Sequence, residues 1–107
     1  MIMTIEVANT PLKRMKGLLG RASLPDGYGM LIRPCNAVHT LGMRFAIDLY
    51  FFDKVGNLVR TYRHVSPGKW WRGGGLKAYA VLETRAGDPT FDNANVFTQI
   101  KKDHFYV

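Results

Sequence analysis

With one cysteine in 107 residues the chain cannot form an internal disulfide, so the fold must stand on its apolar core, and a reducing compartment suits it. No apolar run approaches the roughly 18 residues that cross a bilayer. The start, Met1-Ile-Met-Thr-Ile-Glu6, lacks a basic stretch leading into an apolar one. The sequence therefore reads as soluble, uncleaved and cytoplasmic. Acids are scarce: 8 Asp and Glu against 15 Lys and Arg leave a net charge of +7. That excess steers anionic partners toward the chain but says nothing about fold. It gathers in two acid-free stretches, Lys13, Arg14, Lys16 and Arg21 before Asp26, and Arg60, Arg63, Lys69, Arg72 and Lys77 before Glu83. No nucleic-acid recognition motif accompanies either zone, and both read first as solvated faces.

What is present is enough apolar material for one core: 47% of the residues, with aromatics at 12% spread along the chain. A single domain over residues 1–107 is expected. Met1 to Ala8 alternates weakly, as a strand would. Thr10-Pro11 reads as an N-cap followed by proline at the first helical position, where its missing N–H costs nothing. Leu12, Met15, Leu18 and Leu19 recur at helical spacing and predict a short helix with one apolar stripe turned inward, stopped at Gly20.

Later segments read mostly as strands. Gly29 to Arg33 is a short apolar run. Arg44 to Phe52 alternates between a core face (Phe45, Ile47, Leu49, Phe51) and a mixed one, and Leu58 to Val65 is its antiparallel partner across the loop at 53–57. Ser66 to Gly75 is too rich in glycine for helix or strand. Tyr79 to Thr84 and Val96 to Ile100 complete the set. The expected architecture is mainly β or α+β: a compact, barrel-like antiparallel or mixed sheet of about six short strands with one short N-terminal helix.

Several landmarks occur in a fixed order: Thr10 with Arg14, Gly17-Leu18-Leu19-Gly20-Arg21, Gly29-Met30-Leu31, His39-Thr40 with Met43-Arg44 and Ile47-Asp48, then Leu82-Glu83 with Ala86-Gly87. In that combination the chain resembles domain-of-unknown-function family 192 over roughly residues 3–100. The resemblance implies a compact, strand-rich domain of unestablished activity. Two features depart from the family pattern: the export signal many relatives carry is absent, and the stretch after Ala86-Gly87 is altered to Asp88-Pro-Thr-Phe-Asp92.

The densest chemistry lies between residues 35 and 48. Cys35 and His39 stand four apart, so a thiol activated by His39, Arg33 or Arg44 is one reading and an inert, buried cysteine the other. A structural zinc site needs four ligands, and one Cys with three scattered His does not supply them, so no metal or cofactor is expected. On a flat strand Arg44 and Asp48 lie roughly 13 Å apart and cannot pair. Asp48 is read either as a site residue or as an anchor pairing with a basic side chain such as Arg14 or Arg21. Glu83 sits in an apolar strand, where a carboxylate needs a partner or a task. Asp48 with Glu83 is a conceivable general acid/base pair. Trp70 and Trp71, beside Lys69 and Arg72, offer a stacking surface, although at least one ring is expected to fold back over the core.

The expected function is binding of a polar or anionic small molecule, or a peptide end, in a pocket near residues 35–48 built from Arg14, His39, Arg44, Asp48, Trp70, Trp71 and Glu83. A Cys35/His39 hydrolase or transferase is the first alternative, and nucleic-acid binding through the basic surface and the Trp loop the second.

Overall fold

The computed structural model describes residues 3–105. Met1 and Ile2 of the expected first strand, and Tyr106 and Val107 at the end, lie outside the described residues. Along the chain run β1 (Thr4–Ala8), α1 (Pro11–Lys16), β2 (Tyr28–Ile32), β3 (Ala37–Val38), β4 (Ile47–Phe52), β5 (Leu58–Val65), β6 (Arg72–Gly73), β7 (Ala80–Arg85), a 3₁₀ turn (Pro89–Asp92) and α2 (Ala94–His104). Five strands form one sheet in the order β1-β2-β7-β4-β5, and β3 pairs with β6 in a separate two-stranded ribbon. Only β1 and β2 run parallel; the remaining pairs are antiparallel. The α+β class is as expected. The sheet, however, is open, with β1 and β5 as its edges, and does not close into a barrel.

The last expected strand is a helix. Val96 to Ile100, expected as the last strand, lies inside α2, whose buried residues Val96 and Ile100 are four apart on one helical face. Asn93 starts the helix, its side chain accepting the Asn95 N–H at 2.9 Å. With Phe91, α2 covers the face of the sheet formed by Leu31, Tyr50, Phe52, Ala80 and Leu82. The altered Asp88-Pro-Thr-Phe-Asp92 stretch is the 3₁₀ turn that aims Phe91 inward. There the buried Asp88 carboxylate accepts from Thr90 N (3.0 Å) and from Gly27 N (2.8 Å).

The opposite face, with Met30, Ile32, Leu49, Phe51 and Val81, is covered by Leu18, Leu24 and the segment carrying Cys35, Val38, Met43 and Phe45. Because both faces are covered, every residue of β4 is buried, where the sequence predicted one mixed face. β4 also begins at Ile47, so Arg44 stands in a bend before it and not on the strand.

The first helix is shorter than its apolar spacing suggests. Thr10 caps it and Pro11 opens it as expected, but it ends at Lys16 because Gly17 adopts φ +48°, a left-handed conformation that glycine adopts most readily. The stripe is thereby broken. Leu12 and Met15 are 79% and 73% exposed, and the inward anchor is Leu18, from the turn beyond the helix.

Candidate functional site

The turn that ends α1 lies over the end of β2 and the middle of β7, and a cavity of about 230 Å³ opens between them. Arg14, Gly17, Leu18, Cys35, His39 and Glu83 line it, together with apolar Ile32, Val38 and Met43. Glu83 comes from β7, where it is paired in register with Met30 on one side and Leu49 on the other, so its side chain points into the covered face that those residues share. Its side is closed by Gly17: a Cβ there would stand 3.8 Å from Glu83 Oε1.

Glu83 is 5% exposed, and among the described residues no side chain or backbone N–H bonds to it and no cation pairs with it. Burial alone, which penalises the charged form, pushes its carboxyl up to about 7. Around neutral pH this cavity therefore holds a carboxyl group divided between its acid and its carboxylate.

Cys35 is half-buried. Its thiol donates to Ala37 O at 3.2 Å, and its pKa is raised, chiefly by burial and further by the nearby charge of Glu83, against the opposing hydrogen bond to Ala37 and the charge of Arg14. A thiol of this kind is a poor nucleophile. Cys35 is accordingly expected to react with iodoacetamide at neutral pH more slowly than a free thiol, and in Glu83→Gln the reaction should speed up. Equal rates in both proteins would remove the coupling between the two groups.

His39 is exposed at the rim, where its Nδ1 accepts the Leu41 N–H at 3.2 Å and leaves Nε2 open. Next to it, Thr40 is fully buried and works as a clamp: its hydroxyl donates to Ser66 O (2.7 Å) and accepts from Lys69 N (2.8 Å). Thr40→Val should cost about 2 kcal/mol by leaving both groups unpaired. Urea denaturation measures that loss, and faster amide exchange at Lys69 would localise it.

The remaining expected site residues stand apart from this cavity. Arg44 is exposed in its bend and does not line it. Asp48 is 1% exposed and anchors the far face of the sheet, accepting from His64 N (2.7 Å), Gly87 N (3.1 Å) and Arg63 Nη1 (3.5 Å). Its basic partner is Arg63, not Arg14 or Arg21; Arg21 pairs with Glu6. Asp48 lies opposite Thr84 and Glu83 opposite Leu49, so the two carboxylates project from opposite faces and do not form an acid/base pair. Trp70 and Trp71 are 79% and 68% exposed, and neither covers the core. Trp71 instead lines a shallow surface depression with Arg60, Tyr62 and Leu76.

Among the described residues, no group of three or more His, Cys, Asp or Glu could hold a metal ion, and no helix is long and apolar enough to cross a membrane. Gly17, Leu18 and Met43 also line the cavity, outside the expected site residues, and all three belong to the ordered landmarks.

The model of domain-of-unknown-function family 192, an uncharacterised ACR, matches residues 1–96. The chain belongs to that family. The family 192 landmarks divide between two places, Arg14, Gly17-Leu18-Leu19, His39 and Glu83 around the cavity and Asp48 with Gly87 beneath the opposite face. Two solved structures share the fold. One, a protein of unknown function from Novosphingobium aromaticivorans, is 22% identical with a TM-score of 0.72, over 79% of this chain and 64% of its own length. The other, a candidate transcription regulator from Sinorhizobium meliloti, is 21% identical with a TM-score of 0.73, over 82% of this chain and 72% of its own. No curated protein matches the chain.

Proposed function

We propose that the domain binds a polar small molecule or a peptide end in the cavity between the α1 turn and β7, with Arg14, His39 and Glu83 as its polar contacts. The observation that carries this reading is the Glu83 carboxyl: nearly sealed from bulk water, facing a cavity, and without a partner among the described residues. A buried polar group in that condition costs folding free energy, and a ligand that supplies its partner recovers that cost on binding. The apolar walls and the few convergent polar groups fit a ligand site. At about 230 Å³ the cavity falls below the ~300–1,000 Å³ of drug-sized sites, which restricts what it encloses to roughly the size of one amino-acid residue.

The test is a thermal-shift screen of small acids, amines, sugars and short peptides on the full chain, repeated with Glu83→Gln and Arg14→Ala. Hits that lose their shift in these variants support the site. Hits that survive both substitutions place the ligand elsewhere and overturn the reading.

The Cys35/His39 nucleophile reading has the raised thiol against it. Nucleic-acid binding keeps one observation in its favour, the two exposed Trp rings with Arg60 beside Trp71. It predicts affinity for single strands that falls steeply with salt, and no binding at low salt would end it.

A further inference from the structure

The charged and titratable groups facing the cavity are few. Arg14 and Lys16 come from α1, Cys35 from the segment after β2, His39 from the segment after β3, and Glu83 from β7. Each of the others is engaged or lies at the rim: Arg14 donates through Nη1 to Asn9 O at 3.3 Å, the Cys35 thiol donates to Ala37 O, and His39 accepts from Leu41 N. None of them bonds or pairs with Glu83. The innermost group is therefore an acid with no counter-charge among the described residues, while the outer cation, Arg14, keeps donors to spare.

This arrangement discriminates among ligands. An anion at the Glu83 position would set two negative charges together out of water. A hydroxyl would give a hydrogen bond but leave the charge uncompensated. An ammonium group brings three N–H donors and the missing positive charge on a single compact atom.

We infer that the ligand is an aliphatic residue bearing an α-ammonium group. The ammonium meets Glu83, the side chain lies against Leu18, Ile32 and Met43, and the carboxylate or carbonyl next to the α-carbon meets Arg14. This inference rests on the binding reading above and assigns its ligand class. A free amino acid and the amino end of a peptide share that chemistry.

The experiment is an amide-resonance NMR titration of the full chain with leucine, Leu-Gly-Gly, isopentylamine and 4-methylpentanoate. Leucine and isopentylamine are expected to bind and 4-methylpentanoate not. Leu-Gly-Gly binding as well as leucine assigns a peptide amino end, and leucine alone assigns a free amino acid. Leucine keeps its ammonium charged at both pH 6 and pH 8, so its affinity should rise about tenfold between them as the ionised fraction of Glu83, which titrates at about 7, increases. Glu83→Gln should lose both the binding and the pH dependence while keeping its dispersed spectrum, and His39→Gln should keep the pH dependence. If 4-methylpentanoate binds as well as leucine and weakens with rising pH, the ligand site stands and the ammonium assignment falls. If no compound shifts the cavity resonances, the ammonium assignment falls, and the binding reading falls with it only if the thermal-shift screen also gives no hit.

Discussion

Replacing Glu83 with glutamine is expected to stabilise the protein at pH 8 by about 3 kcal/mol and to leave it nearly unchanged at pH 4.5. The folded-state carboxyl titrates at about 7 instead of the ordinary 4.5, through burial without a partner. Between those values the folded protein holds a proton that the unfolded chain has released, so stability falls as pH rises through the window. Its contribution is fully present below pH 4.5 and lost above 7. At 1.36 kcal/mol per pH unit, the 2.5-unit displacement corresponds to the stated effect. Glutamine has nearly the same shape and no charge to desolvate. Urea denaturation of both proteins from pH 4.5 to 8 checks the result. Parallel stability profiles would show that Glu83 titrates as an ordinary surface acid and would remove the basis for a ligand partner.

Removing the Asp48 carboxylate should cost about 2–4 kcal/mol, because two backbone N–H groups lose their acceptor at about 1–3 kcal/mol each, while the half-exposed Arg63 keeps Asp92. The reason lies in the register of β4 and β5. Ile47 faces Val65 and Leu49 faces Tyr62, so Asp48 alone stands opposite two residues, Arg63 and His64. This is a β-bulge, and it holds His64 at φ +54°, a conformation that costs a non-glycine residue about 1–2 kcal/mol. The N–H freed by the bulge goes to Asp48 Oδ1, while Oδ2 takes Gly87 N and Arg63. Asp48→Ala leaves both backbone donors stranded; Asp48→Asn keeps one acceptor and should lose less. Urea midpoints rank the two variants. If Asp48→Ala were as stable as the parent, the carboxylate would not be the anchor.

The elements that the sequence makes legible are those with a local signature. Thr10-Pro11 marks the start of a helix through capping chemistry, and the run 58–65 marks a strand, although as an edge of the sheet it is exposed at nearly every position instead of alternating. Legibility fails where tertiary structure overrides local pattern. Val96 to Ile100 offers a short apolar run that fits strand or helix equally, and reading it as a strand removed the cover from half the sheet, which is why β4 seemed to keep a mixed face. Leu12 and Met15 follow helical spacing, yet Gly17 ends the helix before that stripe reaches the core.

In the site, Arg14, His39 and Glu83 converge because a crossover and two non-adjacent strands bring them together, which no spacing rule encodes. Asp48 shares a sequence neighbourhood with His39, but strand parity sends it to the other face. The unpartnered state of Glu83 was half visible, in that a carboxylate within Val81-Leu82-Glu83-Thr84 demands an explanation. That no arginine answers it among the described residues is a matter of tertiary placement.

The five-stranded sheet is also a partition. Glu83 and its cavity lie on one side, and Asp48, its bulge and the α2 packing lie on the other, with a layer of fully buried strand between them. The proposed ligand site and the anchor of the scaffold thus stand on separate faces. Substitutions at the residues that line the cavity therefore fall on the face opposite the Asp48 anchor and the α2 packing.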